Sequence, residues 1–196
     1  MKIVGIAGYP RSGKDSVGDL FMEAGYYGVS FGDIIRDYSR KRHADKPDPI
    51  SVANMTETAN WLRNEQGADV LLKEALRQFE EKQAQGENYK GILFISVRAP
   101  VEADFIRERD GVLIWIEASD EVRYERDKKH RREGEVDVSF EEFKRQENLQ
   151  TVPQPGIPKE AQMNMTYVKS QATNILENNG DDFEAFKQAA RQLTKD

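Results

Sequence analysis

The residues with the clearest chemical potential lie near the amino terminus, in the run Gly8-Tyr9-Pro10-Arg11-Ser12-Gly13-Lys14. Glycines at both ends let the backbone curl until successive N–H groups point inward, and such a nest binds phosphate oxygens. A helix that starts directly after the run adds the positive end of its dipole, and Lys14 adds a full charge. The segment therefore predicts a cradle for the phosphate chain of a nucleotide such as ATP. The residues expected to line it are Gly8, Arg11, Ser12, Gly13, Lys14, Asp15 and Ser16.

Asp15 is an unusual residue for such a cradle, because the pattern G-x-x-x-x-G-K-[ST] has a hydroxyl residue at this position. The usual hydroxyl binds Mg²⁺ directly, whereas an aspartate is better suited to act through a water molecule. We expect Mg²⁺ to accompany the nucleotide, with Asp15 as the candidate metal residue and Ser16 assisting at an α-phosphate.

The elements that must hold this cradle alternate between strand and helix along the chain. Nearly continuous apolar runs predict buried strands at 3–7, 27–31, 92–97, 112–116 and 172–176. Helical spacing of apolar residues predicts helices at 14–24, 34–41, 101–109, 119–132, 140–147 and 181–193, and one or two more between 55 and 79. Asp33 is the expected N-cap of the 34–41 helix, and Gly67 the expected joint between 55 and 79. Buried strands separated by helices predict an α/β fold, in which a parallel sheet of five strands carries helices on both faces.

Two groups of basic residues are placed to bind anions. Arg98 directly follows the third predicted strand, and open parallel sheets bind ligands beyond the carboxyl ends of their strands. The second group follows the fourth strand and consists of Arg123, Arg126, Lys128, Lys129, Arg131 and Arg132, opposed only by Glu125 and Asp127. In a chain with a net charge of -6, this patch suits a small polyanion better than a nucleic-acid duplex. A solvated helix face is the alternative interpretation.

The composition excludes several classes of protein. The chain has 196 residues, which is enough for one domain with its own hydrophobic core. It has no cysteine, which excludes disulfides, thiolate metal sites and cysteine nucleophiles and fits a reducing compartment. No apolar run approaches the roughly 20 residues of a membrane span, and the first residues lack a secretory pattern. We therefore expect a cytoplasmic protein whose partners include neither membrane nor nucleic acid.

Short segments in a shared order along the chain resemble the P-loop nucleoside and deoxynucleoside monophosphate kinases. Ser30-Phe31-Gly32-Asp33-Ile34-Ile35-Arg36 is similar to the S/T-x-G-D-x-x-R segment of adenylate-kinase-like enzymes. The run from Ser96 to Asp104 is similar to the D-V-R-x-P-x-E-x-D stretch of phage-type deoxynucleoside monophosphate kinases, which also carry an R-S-G-K-D loop. The run from Ala172 to Gly180 is similar to the A-D-x-V-I-x-N-x-G element of dephospho-CoA kinases.

This resemblance implies an enzyme that moves the γ-phosphoryl group of ATP to a small phosphorylated acceptor, a nucleoside or deoxynucleoside monophosphate. In the family the arginine at the position of Arg36 holds the acceptor's phosphate, and the residues expected at the acceptor are Gly32, Asp33, Arg36 and Arg98. An arginine-rich lid closes over the ATP phosphates, and the residues for which catalytic roles are implied are Lys14, Arg98, Arg126, Arg131 and Arg132.

The resemblance also implies the domain organisation, a single three-layer P-loop NTPase domain. Its core segments are 1–36, 88–120 and 170–196, with an acceptor-binding helical insert at about 37–87 and a lid at about 121–150. A monomer or a homodimer is expected.

Ser96 departs from the family pattern, because these kinases usually have an aspartate there that orders Mg²⁺ and its waters. Serine cannot supply that charge, and the candidate substitutes are Asp15, Asp33 and Glu102. Two alternatives therefore stay open. One is a dephospho-CoA kinase-like enzyme, which the element from Asn178 to Gly180 favours, and the other is a nucleotide-binding protein with little or no catalysis. His43 and His130 are expected on the surface. Arg63 has two interpretations, a residue that lines the acceptor pocket and a plain helix-surface arginine, of which the second is favoured.

Overall fold

The structure is a computed structural model that describes residues 1–130, 137–151, 162–180 and 182–195. Its strands are β1 (Lys2–Ala7), β2 (Tyr27–Ser30), β3 (Gly91–Val97), β4 (Val112–Glu117) and β5 (Asn174–Glu177). Its helices are α1 (Lys14–Glu23), α2 (Phe31–Arg42), α3 (Val52–Gln66), α4 (Val70–Ala84), α5 (Pro100–Arg107), α6 (Asp120–Lys129), α7 (Phe140–Thr151), α8 (Met165–Ser170) and α9 (Phe183–Leu193). All five predicted strands are present, each within two residues of its expected limits.

The strands form one parallel sheet in the order β2-β3-β1-β4-β5. The sheet buries a separate apolar cluster on each face, as its nearly continuous apolar strands require. Helices α1 and α9 cover one face, with Val17, Phe21 and Phe186 in its cluster. Helices α2 to α5 and α8 cover the other face. The predicted three-layer α/β fold is therefore confirmed, and the strand that carries the glycine-bracketed loop, β1, lies at the centre of the sheet.

The predicted helices are present, although α4 and α7 extend past their expected ends and α8 adds a short helix. The joint predicted at Gly67 is observed, since α3 ends there and α4 begins shortly after it. The prediction that Asp33 caps the 34–41 helix is wrong. Ser30 is the N-cap, and its hydroxyl accepts the N–H of Asp33 at 3.2 Å. The chain passes from β2 into α2 without a connecting loop, which places Asp33 inside the first helical turn.

Strand β3 contains a bulge next to the carboxyl edge of the sheet. Ile6 pairs with Ile95 and Ala7 pairs with Val97, so Ser96 has no partner in the ladder with β1. Its φ of 70° lies in the left-handed region. A bulge re-aims the chain that follows it, and here it directly precedes Arg98. The position at which the family has an aspartate is thus an irregular point of the strand.

The two histidines have different environments, and the surface prediction holds only for His130. His43 follows α2 as its C-cap residue and is 5% exposed, and α2 packs against α3. His130 ends the basic helix α6 and is exposed. Within the described ranges, none of the helices is both long enough and apolar enough to cross a lipid bilayer.

Candidate functional site

The loop between β1 and α1 requires glycine at both of its ends. Gly8 has a φ of 145°, and a Cβ there would lie 2.6 Å from the carbonyl oxygen of Ile116. Gly13 has a φ of 105°, and a Cβ there would lie 2.5 Å from Nδ2 of Asn178. Both separations are too short for real atoms, and both φ values are unfavourable for residues with a side chain. The glycines of the motif therefore allow a tight loop packed against β4 and the turn after β5.

Lys14 and Ser12 line this loop from the inside. Lys14 is buried, and its ammonium Nζ donates to the carbonyl of Tyr9 at 2.8 Å. The Ser12 N–H donates to the same carbonyl at 3.2 Å. The hydroxyl of Ser12 is buried and has no hydrogen-bond partner among the described residues. Gly13 precedes α1 and has no side chain to cap the helix, and a helix N-terminus without a side-chain cap suits an anion.

The carbonyl groups of three consecutive loop residues face outward, toward donors from distant parts of the chain. Arg123 Nη1 donates to the Pro10 carbonyl at 3.3 Å, and Arg126 Nη1 donates to the Arg11 carbonyl at 3.4 Å. Asn178 Nδ2 donates to the Ser12 carbonyl at 2.8 Å. The loop is thus held in shape by α6 and by the turn after β5.

Asn178 is a site residue whose role the sequence analysis missed. It is 4% exposed, its N–H donates to the carbonyl of Glu117 at 2.8 Å, and its side chain holds Ser12. Arg126 Nη2 donates to both oxygens of Asn178, at 2.9 and 3.1 Å. The available signal was an asparagine directly after a strand that ends beside β4, at the same edge as the loop.

Arg123 is a buried anchor of the segment predicted as a lid. Its Nη1 and Nη2 donate to the two carboxylate oxygens of Glu147 on α7, the second bond at 2.8 Å. Nη2 also donates to Asp120 at 2.7 Å, and Nε to the carbonyl of Ala118 at 3.0 Å. Burial lowers the pKa of the Arg123 guanidinium. Helices α6 and α7 are therefore joined to each other and to the loop by one arginine.

Three arginines after the fourth strand carry expected catalytic roles, and Arg126 is the one that lies within the described residues. Arg126 contacts the cradle from outside, through the carbonyls described above, and burial lowers its pKa. Arg11 of the loop reaches the same helix, with Nε donating to Asp127 at 2.8 Å. Arg131 and Arg132 lie outside the described residues.

The loop fits a nucleotide phosphate chain, and Asp15 is the nearby carboxylate in the first turn of α1. Gly8 and Gly13 leave no room for side chains in the loop, and buried Lys14 and the buried hydroxyl of Ser12 give it a polar lining. Such a lining suits phosphate oxygens. Asp15 is exposed. The described part of the chain contains no group of three or more His, Asp or Glu side chains able to hold a metal ion. Mg²⁺ bound with nucleotide takes few protein ligands and several phosphate or water oxygens, so Asp15 alone is compatible with it.

Two of the predicted acceptor residues pair with each other. Arg36 Nη1 donates to Asp33 Oδ1 one helical turn away, and the arginine side chain is 18% exposed. Gly32 lies in the first turn of the same helix. Arg98 lies just past β3, where its N–H donates to Glu102 Oε2 at 2.7 Å and its carbonyl accepts from the N–H of Asn164 at 2.9 Å. The backbone of Arg98 is thus fixed on both sides.

The prediction that Arg63 is a helix-surface arginine is wrong. Its side chain is 1% exposed, and its Nη2 donates to Glu102 Oε1 at 2.9 Å. Glu102 Oε2 in turn accepts the N–H groups of Arg98 and Ala99, at 2.7 and 3.0 Å. Both oxygens of Glu102 are engaged inside the protein, and its role as a substitute for the aspartate missing at Ser96 stays a prediction.

Comparison with solved structures agrees with this architecture. Shikimate kinase from Bacteroides thetaiotaomicron superposes with a TM-score of 0.55 at 14% identity, covering 99% of this chain and 97% of that one. TT1252 from Thermus thermophilus gives 0.53 at 20% identity, covering 99% and 96%. Dephospho-CoA kinase from Campylobacter jejuni gives 0.50 at 16% identity, covering 100% and 96%. At these identities the likeness concerns the fold, and it confirms the predicted resemblance to P-loop kinases at that level.

Three relatives are similar to this chain over most of its length. A UPF0200/UPF0201 protein of Archaeoglobus fulgidus is 27% identical over 98% of this chain, which spans about half (55%) of that relative. A UPF0200 protein of Staphylothermus marinus is 27% identical over 98% of this chain and 92% of its own length. A UPF0200 protein of Methanocaldococcus jannaschii is 30% identical over 69% of this chain and 66% of its own. Residues 4–150, most of the chain, match the AAA domain model AAA_18, and the chain therefore belongs to this family of P-loop proteins.

Proposed function

We propose that this protein is a phosphotransferase that moves the γ-phosphoryl group of ATP to a nucleoside or deoxynucleoside monophosphate. The observation that carries the proposal is the loop around Lys14. Its carbonyls at Pro10, Arg11 and Ser12 bond outward, which favours an inward direction for the N–H groups that follow them. Inward amides with a buried ammonium group suit the phosphates of a nucleoside triphosphate.

The acceptor side of the proposal uses Arg36 and Arg98. Arginine suits an acceptor phosphate because its planar group donates several hydrogen bonds and stays charged at all relevant pH values. Arg36 is held by Asp33 and Arg98 is fixed through its backbone, so both carry some preorganisation. Gly32 is expected to allow close approach of the acceptor to the start of α2. The segment 37–87 would then serve as the acceptor lobe.

The transfer itself asks for positioning and charge neutralisation more than for covalent chemistry. Lys14 would hold the terminal phosphates, and Arg126, Arg131 and Arg132 would offset charge in the lid segment 121–150. Mg²⁺, when bound with ATP, would neutralise the transferring phosphates, with Asp15 as its protein contact. We assign no general base, because an acceptor phosphate is already ionised at neutral pH.

Ser96 favours one alternative, a nucleotide-binding protein with little turnover. Its side chain lacks charge and its backbone lies in a bulge with a φ of 70°, so it cannot act as the family's metal-ordering aspartate. A dephospho-CoA kinase-like acceptor is the second alternative, and its ribose hydroxyl would need a base.

One screen separates these functions: ATP and Mg²⁺ with each nucleoside monophosphate, each deoxynucleoside monophosphate and dephospho-CoA, with ADP release as the readout. ADP release that depends on one monophosphate supports the proposal. Release that depends on dephospho-CoA supports the second alternative, and tight ATP binding with no release for any acceptor supports the first.

Two variants test the assigned roles. Lys14→Ala is expected to abolish ATP binding or turnover, and an unchanged ATP affinity and rate would refute the cradle. Arg98→Ala is expected to raise the KM of the acceptor far more than that of ATP. Equal effects on both KM values would remove the acceptor role of Arg98.

A further inference from the structure

Buried polar atoms that lack a hydrogen-bond partner point to a second binding position. Within the described part of the chain, such side-chain atoms occur on Ser12, His43, Thr58 and Arg63. Ser12 lies in the nucleotide loop, and the other three lie on α3 or at the end of α2, in the predicted acceptor insert. A buried donor left unpaired costs about 1–3 kcal/mol, and more when it is charged, so each case requires an explanation. Arg63 is the charged member of the set.

The chain contains a built-in comparison for Arg63, namely Arg123. Both side chains are 1% exposed and both pair with a glutamate. Arg123 donates from Nε, Nη1 and Nη2, with both oxygens of Glu147 bound. Arg63 donates from Nη2 alone, while its Nε and Nη1 have no partner in the described part of the chain. In a purely structural buried ion pair we expect every donor group of the arginine to have a partner, as in Arg123. Arg63 uses only one of its three donor nitrogens in this way, so a structural role alone does not explain its burial.

Glu102 connects Arg63 to the candidate acceptor site. One carboxylate oxygen accepts from Arg63, and the other accepts the N–H groups of Arg98 and Ala99 just past β3. A single carboxylate group therefore separates the Arg63 guanidinium from the backbone of Arg98. Arg98 and Ala99 lie at the carboxyl edge of the sheet, where parallel α/β folds bind their ligands.

We propose that Arg63 binds an oxyanion of the acceptor, with Nε and Nη1 as donors, while Glu102 keeps Nη2. This inference rests on the proposed function and adds a third arginine, from α3, to Arg36 and Arg98. The ligand chemistry is a phosphate monoester or a carboxylate, since either offers paired oxygens to a charged donor group. The ammonium group of a lysine would preserve the charge beside Glu102 but would not reproduce the guanidinium donors.

The test compares Arg63→Lys with the wild-type protein after the nucleotide loop has been filled with a non-hydrolysable ATP analogue. Arg42→Lys is the matched control, because Arg42 lies in the same insert, pairs with Glu57 at 3.3 Å and is 34% exposed. Calorimetry then measures binding of inorganic phosphate, of the nucleoside monophosphates, and of acetate as the carboxylate probe. We expect Arg63→Lys to weaken the phosphate or carboxylate probe at least tenfold, with ATP-analogue affinity unchanged and Arg42→Lys like the wild type.

Several outcomes would overturn the inference. If Arg63→Lys and the wild type bind the probes with equal affinity, Arg63 has only a structural role. The same conclusion follows if no probe binds to the wild-type protein loaded with the ATP analogue. Failure of the ATP analogue to bind refutes the proposed function instead. If Arg63→Lys does not fold, the Nε–H resonance of Arg63 in the wild-type protein decides. Its shift on addition of the probe supports direct binding, and an unmoved resonance contradicts it.

Discussion

Gly13 provides the sharpest test of the cradle, through the substitution Gly13→Ala. Two physical effects combine at this position. The φ of 105° is unfavourable for alanine, and the new Cβ would lie 2.5 Å from Asn178 Nδ2. Asn178 must then move, which breaks its 2.8 Å hydrogen bond to the Ser12 carbonyl. The substitution therefore strains the backbone and releases one of the outward carbonyls of the loop.

The magnitude follows from these two effects. A left-handed backbone costs an alanine about 1–2 kcal/mol. Loss of the buried hydrogen bond adds about 1–3 kcal/mol, because the Ser12 carbonyl is left unsatisfied. We expect the free energy of unfolding to fall by about 2–5 kcal/mol in total. If the substitution destabilises the nucleotide-binding conformation of the loop by about 1.4 kcal/mol or more relative to other conformations of the folded protein, ATP affinity falls by at least about tenfold.

Gly86→Ala is the matched control, since Gly86 has a φ of 88° but a Cβ added there would have no atom within 4 Å. It is expected to lose only the backbone part, about 1–2 kcal/mol, with ATP affinity unchanged. Urea unfolding measures stability and calorimetry measures ATP binding. In an Asn178→Ala background, Gly13→Ala should cost no more than Gly86→Ala, because the clash is gone. Equal losses for the two glycine variants in the native background, with unchanged ATP affinity, would refute the reasoning.

Two further predictions concern the acidic partners on α7. Glu147→Gln is expected to lower the free energy of unfolding by about 1.5–3 kcal/mol in urea, because buried Arg123 would lose its two-oxygen carboxylate partner and keep only the partly exposed Asp120 as a charged partner; a loss as small as that of Glu142→Gln, which alters an exposed pair, would contradict this. Glu142 should titrate at a pKa of about 2, lowered from 4.5 chiefly by its hydrogen bond to Arg145. A depressed folded pKa stabilises the protein above pH 4.5, and this contribution is lost as the pH falls through about 2. Carbon-13 NMR of the Glu142 carboxyl group measures this pKa, and a titration midpoint near 4.5 would contradict the prediction.

The sheet was predictable because its central strands are buried on both faces. A strand such as Ile92–Val97 must be apolar nearly throughout, and that signal needs no knowledge of the neighbouring elements. The nucleotide loop was predictable for a related reason. The glycines, Lys14 and the following helix are contiguous, so sequence spacing alone describes their arrangement.

The errors concern side chains whose environment is set by distant segments. Arg63 was predicted at the surface because arginine is seldom buried without a partner, and its partner Glu102 is 39 residues away. His43 is 5% exposed at the end of α2, a helix that packs against α3. Asn178 meets Ser12 across 166 residues of sequence. No local pattern records which charged or polar residue will lie opposite another after the chain has folded.

The hydrogen bonds of the loop indicate a second role for the basic helix α6, in addition to the proposed lid: it holds the loop in shape. A trans peptide group points its carbonyl and the following N–H in opposite directions. Arg123, Arg126 and Asn178 hold consecutive loop carbonyls on the outside. The same contacts therefore favour inward N–H groups at Arg11 and Gly13 before any nucleotide arrives, while the Ser12 N–H donates to the Tyr9 carbonyl within the loop. The buried guanidinium group of Arg123 and the half-buried one of Arg126 also keep positive charge next to the loop. Part of the basic character of α6 is thus explained by preorganisation of the cradle, and this holds whether or not the lid closes over it.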